Sequence, residues 1–244
     1  MCALTDNQLS NYWVSSGKYD SIFTYIQYNV DQIQNDLTLM FAGEKIPSGI
    51  QEYAATAQEL KTKEEIYSAM VVYELLTYDN GMVFIPNKEL MGSYASMMKK
   101  EQSLGYIYRL ANVSSQMLQA TLAGDTETMS KIIQYAHNTE VPILSYNNET
   151  ELSAIINLVY LSARDQYRVE REDKAGKGYV DYIFYPVRYD QDCIILELKV
   201  GHTPEEAIQQ IIDKKYAMRF SGKLGEEKMY TGRILAVGIG YDKK

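Results

Sequence analysis

Apolar residues recur every three or four positions from Tyr19 to about Leu39, with Ile22, Ile26 and Val30 on one side, and again from Lys63 to about Leu76, with Ile66, Met70 and Leu75. That period predicts amphipathic helices. Asp79-Asn80-Gly81 is a turn signal leading into the short run Met82-Val83-Phe84-Ile85, and Pro86-Asn87 opens another helical stretch ending near Lys100. From Ile107 to His137 the helical pattern resumes, with a break near Gly124-Asp125. The first part of the chain therefore reads as mainly α-helical.

The pattern changes near Pro142-Ile143-Leu144-Ser145. Asn148 suits the cap of a helix whose Leu152, Ile155, Ile156, Val159 and Tyr160 form one apolar stripe, and the periodicity carries that helix to about Gln166. A glycine-containing turn, Lys174 to Gly178, leads into Tyr179-Val180-Asp181-Tyr182-Ile183-Phe184-Tyr185, a run of β-branched and aromatic residues stopped by Pro186. After the polar bend 188–192 comes Cys193-Ile194-Ile195-Leu196-Glu197-Leu198-Lys199-Val200, almost wholly apolar, as expected of a strand buried on both faces. Thr203-Pro204-Glu205-Glu206 combines a capping hydroxyl, proline at the first helical position and glutamate three residues after the cap, so a helix starts there and keeps its spacing to about Phe220. Arg233 to Ile239 closes the series as a strand. The order from residue 149 is helix, strand, strand, helix, strand. It predicts an α/β domain over residues 146–244, preceded by a mainly helical domain over 1–145.

Hydrophobic residues make up 46% of the 244, enough for a sizeable core. The amino terminus has no basic segment followed by an apolar run, and no apolar stretch approaches membrane-spanning length. The expectation is a soluble cytoplasmic protein with no membrane partner. Two cysteines, Cys2 and Cys193, and two histidines, His137 and His202, exclude a disulfide framework and a zinc cage of Cys and His, so any metal must be held mainly by oxygen. The net charge of −8 argues against a simple basic nucleic-acid binder. The charge is uneven, however. Residues 1–146 carry 9 basic against 16 acidic side chains, whereas residues 147–244 carry 15 against 16, so phosphate is not repelled by the second part as a whole.

Residues two apart on a strand share a face, so Glu197 and Lys199 point the same way while Leu198 faces the other. Ionised side chains inside a sheet are costly unless paired or bound to metal. A hairpin across residues 187–192 would bring Asp181 beside Glu197, and two carboxylates and a lysine would converge. This combination suits phosphodiester hydrolysis. Asp181, Glu197 and the Leu198 carbonyl are hard oxygen ligands of the kind Mg²⁺ takes, the cation would polarise phosphate and acidify water, and Lys199 would position that water and offset developing negative charge.

The segments Gly178-Tyr179-Val180-Asp181, Ile195-Leu196-Glu197-Leu198-Lys199 and Glu206-Ala207-Ile208-Gln209-Gln210-Ile211, with Lys214 and Tyr216, resemble the carboxy-terminal PD-(D/E)XK nuclease domain of bacterial AAA-ATPase-like proteins. The resemblance implies a restriction-endonuclease-like mixed sheet flanked by helices, with acidic metal ligands at Asp181 and Glu197 and the lysine at Lys199. It also implies that Gln210 matches a glutamine on the following helix, that Glu151 matches an acidic residue on the first core helix that adds a metal ligand in related nucleases, and that Tyr216 matches an aromatic near the helix end. Upstream, Asn11-Tyr12-Trp13-Val14 and Phe84-Ile85-Pro86-Asn87-Lys88-Glu89 resemble segments linking ATPase-like and nuclease domains in that family. Two departures stand out. No Gly-x-x-x-x-Gly-Lys-Ser/Thr loop occurs, so the ATPase portion is expected to be absent and an ATPase is a candidate partner. Tyr179 also stands where the family often has a basic residue.

Blander readings compete residue by residue. Glu-x-Lys alone occurs on many exposed strands, and it is the spaced ensemble that carries weight. Glu151 would equally complete a cap begun by Asn148. His202 reads as a solvated loop residue and Tyr216 as core packing. The expected function is a metal-dependent nuclease using Mg²⁺ or Mn²⁺ on DNA or another nucleic acid. The alternatives are a catalytically weak or inactive nuclease-fold binding module, or a hydrolase of smaller phosphate esters.

Overall fold

The computed structural model describes residues 30–50, 60–138, 149–175, 178–220 and 230–241. The expected start of the first helix at Tyr19, the Asn11–Val14 segment, the run near Pro142 and the Asn148 cap lie outside the described residues. The chain divides into two compact units, Met1–Arg109 and Leu110–Lys244.

In the first unit the described elements are α1 (Val30–Phe41), β1 (Ile46–Pro47), α2 (Lys63–Val72), β2 (Thr77–Asp79), β3 (Met82–Phe84) and α3 (Lys88–Lys100). Thr62 and Glu65 form a reciprocal capping box at the start of α2, and the Asn87 side chain accepts from the Leu90 amide at the start of α3. Only one strand was expected here, yet Met82–Phe84 is the second half of a hairpin. Asn80 and Gly81 both take positive φ, 49° and 81°, the geometry of a two-residue turn that folds β2 back on β3. Strand β2 was hidden because the apolar pair Leu75-Leu76 extends the helical period, whereas α2 stops at Val72 and Glu74 turns left-handed at φ 60°. Ile33, Leu37, Met40, Ile66, Tyr67, Met70, Val83 and Met98 are buried.

The second unit begins within α4 (Tyr106–Ala123), followed by α5 (Thr126–Asn138), α6 (Glu149–Val159), β4 (Tyr167–Ala175), β5 (Gly178–Pro186), β6 (Cys193–Val200), α7 (Pro204–Asp213) and β7 (Ile234–Tyr241). The four-stranded sheet has order β4-β5-β6-β7, antiparallel except for the parallel pair β6–β7. Mixed sheet and flanking helices together make the expected restriction-endonuclease-like α/β arrangement.

Two element boundaries differ from expectation. The stripe that predicted a helix to Gln166 ends at Val159 and gives way to a 3-10 turn, Leu161–Asp165, and then to the unanticipated strand β4. β4 pairs only with β5, and an edge strand tolerates charges such as Arg168, Glu170 and Arg171, which mask its alternation. Likewise α7 stops at Asp213 rather than near Phe220, because Lys215 turns left-handed at φ 56° and Tyr216–Phe220 forms a separate 3-10 turn.

Strand β6 sits between two layers, and its first six residues are all buried. On one face Tyr160 of the α6 end packs on Phe184 at 5.2 Å, and Asn157 Nδ2 donates to the Tyr182 hydroxyl at 2.7 Å. On the other, Val180, Ile183, Tyr185, Cys193 and Ile195 pack with Ile211, Tyr216 and Phe220. Ser114 and Thr121 of α4 hydrogen-bond to Ser162 and Tyr160, which joins α4 to this core. Among the described residues no helix is long and apolar enough to cross a membrane.

Candidate active site

The register of β5 on β6 pairs Phe184 with Ile194, Ile183 with Ile195 and Tyr182 with Leu196. One further step would set Asp181 opposite Glu197, and there the ladder stops. Side chains replace main-chain pairing at that step: the Leu198 amide donates to Asp181 Oδ2 at 2.7 Å, and the Asp181 amide to Glu197 Oε2 at 3.4 Å. On its other edge β6 stays fully paired with β7, Glu197 beside Gly238 and Lys199 beside Gly240. The two strands thus part around their acidic residues while the parallel edge holds β6 in place.

Glu197 is only 2% exposed. Lys199 Nζ lies 3.2 Å from its Oε1, and Gln210 Nε2 of α7 donates to the same oxygen. Burial, reinforced by the neighbouring Asp181, pushes the Glu197 carboxyl up to about 7, while Lys199 and the Asp181 amide work in the opposite direction. The surroundings of Glu197 are therefore a place where a second negative charge is costly and a cation is favoured.

α7 delivers Gln210 because its amino-terminal end is fixed against β7. The Thr203 hydroxyl accepts from the Glu206 amide, the Glu206 carboxylate accepts from the Thr203 amide, and Pro204 opens the helix. Gly238 and Gly240 admit this segment: a Cβ at Gly238 would collide with the Pro204 carbonyl, and one at Gly240 with the His202 carbonyl and the Pro204 ring. His202 itself is exposed, its Nδ1 3.3 Å from Glu206 Oε2, on the solvent side of the helix cap.

The structure brings together Asp181, Glu197, Lys199 and Gln210. Leu198 buries its side chain and commits its amide to Asp181. Glu151 is carried on α6, and its side chain lies outside the described residues. Sequence reasoning missed the Tyr216 hydroxyl, 3.5 Å from Gln210 Nε2, since the pair is six residues apart across a helix break and no helical period links them. It also missed the glycine pair, whose signal was Gly-Ile-Gly inside an otherwise apolar strand.

Two carboxylates from adjacent strands, with the main chain of Leu198 next to Glu197 in sequence, offer hard oxygen donors. Among the described residues no third His, Cys, Asp or Glu joins them in a metal cage. That set fits a cation that completes its shell with water and phosphate, as Mg²⁺ does, better than one that needs an all-protein cage.

No curated protein and no solved structure matches the chain. The family match begins at residue 147, so the upstream segments resembling AAA-ATPase-like proteins fall outside it and that narrower kinship is not supported by it. Residues 147–237, from just before α6 into β7, match the family model of the PD-(D/E)XK nuclease superfamily, whose members are in general metal-dependent nucleases.

Proposed function

We propose that the chain is a metal-dependent nuclease that hydrolyses phosphodiester bonds, with DNA as the principal substrate and Mg²⁺ or Mn²⁺ as cofactor. The observation that carries this reading is the linkage of Asp181 and Glu197 where β5 and β6 part: the Asp181 amide donates to Glu197, the Asp181 carboxylate accepts from the Leu198 amide, and Lys199 lies 3.2 Å from Glu197. Asp181, Glu197 and the Leu198 carbonyl would hold the cation, with Glu151 of α6 as a further ligand. When bound, the cation supplies Lewis acidity to the scissile phosphate and lowers the pKa of water at the site.

The protein's own groups do the rest. Asp181 is locked in place by the Leu198 amide, so its carboxylate needs no reordering when a cation arrives. Lys199, partly exposed beside the buried Glu197, would orient the attacking water and compensate charge that develops on the phosphate. Gln210 holds the inner oxygen of Glu197 from the side of α7. The matched superfamily supports a nucleic-acid substrate, and residues 146–244 form the catalytic domain in this reading.

The test is cleavage of supercoiled, linear and single-stranded DNA, and of RNA, with Mg²⁺, Mn²⁺ or EDTA, by the wild type and by Glu197→Ala and Lys199→Ala. The expected result is cleavage that EDTA and either substitution abolishes. Cleavage that survives EDTA and both substitutions would overturn the proposal, and binding without cleavage would instead support a nuclease-fold binding module.

A further inference from the structure

Gln210 lies between two partners. Its amide nitrogen carries two hydrogens; it donates to Glu197 Oε1 and stands 3.5 Å from the Tyr216 hydroxyl oxygen. The carboxylate oxygen of Glu197 takes the nitrogen end of the amide and so selects the amide orientation, which leaves the same nitrogen beside the Tyr216 hydroxyl, a group able to accept from it. Tyr216 is 1% exposed, and its ring is packed with Val180, Ile183, Ile211 and Phe220. A ring required for packing alone would serve as phenylalanine, since burying a hydroxyl is unfavourable unless it is hydrogen-bonded. The left-handed turn at Lys215 aims this phenol back at the helix it follows, whereas a continued α-helix would carry residue 216 a turn and a half beyond Gln210.

We infer that Tyr216 is a positioning residue: its hydroxyl fixes the Gln210 amide, and Gln210 in turn fixes the rotation of the Glu197 carboxylate. With Oε1 taken by Gln210 and Lys199, Oε2 is left on the side of Asp181. Glu197 thereby gives one oxygen to Gln210 and Lys199 and turns the other to the Asp181 main chain. The catalytic consequence rests on the nuclease reading above, whereas the contact chain itself does not.

The experiment compares wild type, Tyr216→Phe, Gln210→Ala and the double variant. Steady-state cleavage of DNA with Mn²⁺ is one readout, and the side-chain amide resonance of Gln210 in ¹⁵N-labelled, metal-free protein is the other. Tyr216→Phe keeps the packed ring, so the backbone spectrum is expected to persist while the Gln210 amide resonance moves. It is expected to lower kcat about fivefold with KM within about twofold, the size of one lost neutral hydrogen bond, and to add no loss once Gln210 is alanine. An unchanged kcat, or an equal loss with and without Gln210, overturns the positioning role. Should the wild type cleave nothing, the nuclease reading fails separately, and the Gln210 resonance still decides: a shift in Tyr216→Phe supports the contact, and an unmoved resonance overturns it.

Discussion

The Leu198 amide donates to the Asp181 carboxylate at 2.7 Å, across the gap where β5 leaves β6. A side chain thus occupies the position that a main-chain carbonyl would take in a continuing ladder. That substitution satisfies the amide and opens a fork between the strands, with Glu197 on its floor.

Asp181→Asn keeps an acceptor for Leu198, whereas Asp181→Ala leaves that amide without one. The asparagine variant is expected to melt close to wild type and to lose at least about 100-fold in cleavage rate. The alanine variant should lose the activity and also about 1–3 kcal/mol of stability. Thermal melting beside cleavage assays separates the two effects; equal melting of the variants would show that the hydrogen bond contributes nothing to the fold.

In metal-free protein Glu197 titrates near 7 when folded, against 4.5 as its ordinary value. Its raised pKa means that the folded state holds the proton more tightly. Below about 4.5 the group is neutral in both states and has no effect. As pH rises from there through about 7, folding is opposed by a growing penalty that levels off near 3 kcal/mol, to order of magnitude. The facing groups are Asp181 on β5, Lys199 on β6, and Gln210 and Tyr216 from the α7 side. Urea denaturation in EDTA at pH 5 and pH 8 should show Glu197→Gln gaining stability relative to wild type at the higher pH. Parallel pH profiles for the two proteins would contradict this.

Gly238 lies beside Glu197 on β7, under the Pro204 carbonyl. Gly238→Ala is expected to cost about 2–3 kcal/mol through overpacking and, by lifting α7, to reduce cleavage as the Gln210 contact loosens. Gly92 provides the contrast: it sits inside α3 with open space where a Cβ would go. Gly92→Ala should stabilise by about 0.5–1 kcal/mol and leave activity alone. Guanidinium unfolding of both variants checks the pair.

Cys193 is fully buried at the start of β6, and burial, with Asp192 beside it, pushes its thiol up to about 11. In a Cys2→Ser background, native protein at pH 8 is expected to resist a thiol-disulfide reagent until denaturant is added. Rapid modification of the native protein would mean that the β5–β6 end of the sheet opens readily.

Much of the second unit was legible along the chain. The buried run 193–200 interrupted by Glu197 and Lys199, the capping box at Thr203 and the stripe on α6 are all local signals, set by residue type and spacing within one element. Strand β4 was not legible, since its charges are tolerable only because it lies at the sheet edge, and edge position is a property of the sheet. The hairpin strand β2 was lost for a similar reason: two apolar residues kept the helical period running past the true end of α2.

The sequence by itself determined that Glu197 and Lys199 share a face and that a helix carrying Gln210 follows them, because strand and helix periods are dictated by backbone geometry. Only the tertiary structure decided that Asp181 meets them, that two glycines on β7 let that helix approach, and that Tyr216 reaches Gln210. Those contacts depend on strand register, on the splay of β5 from β6 and on a single left-handed residue at Lys215. Each of these is settled by how separate elements fit together, which no run of neighbouring residues encodes.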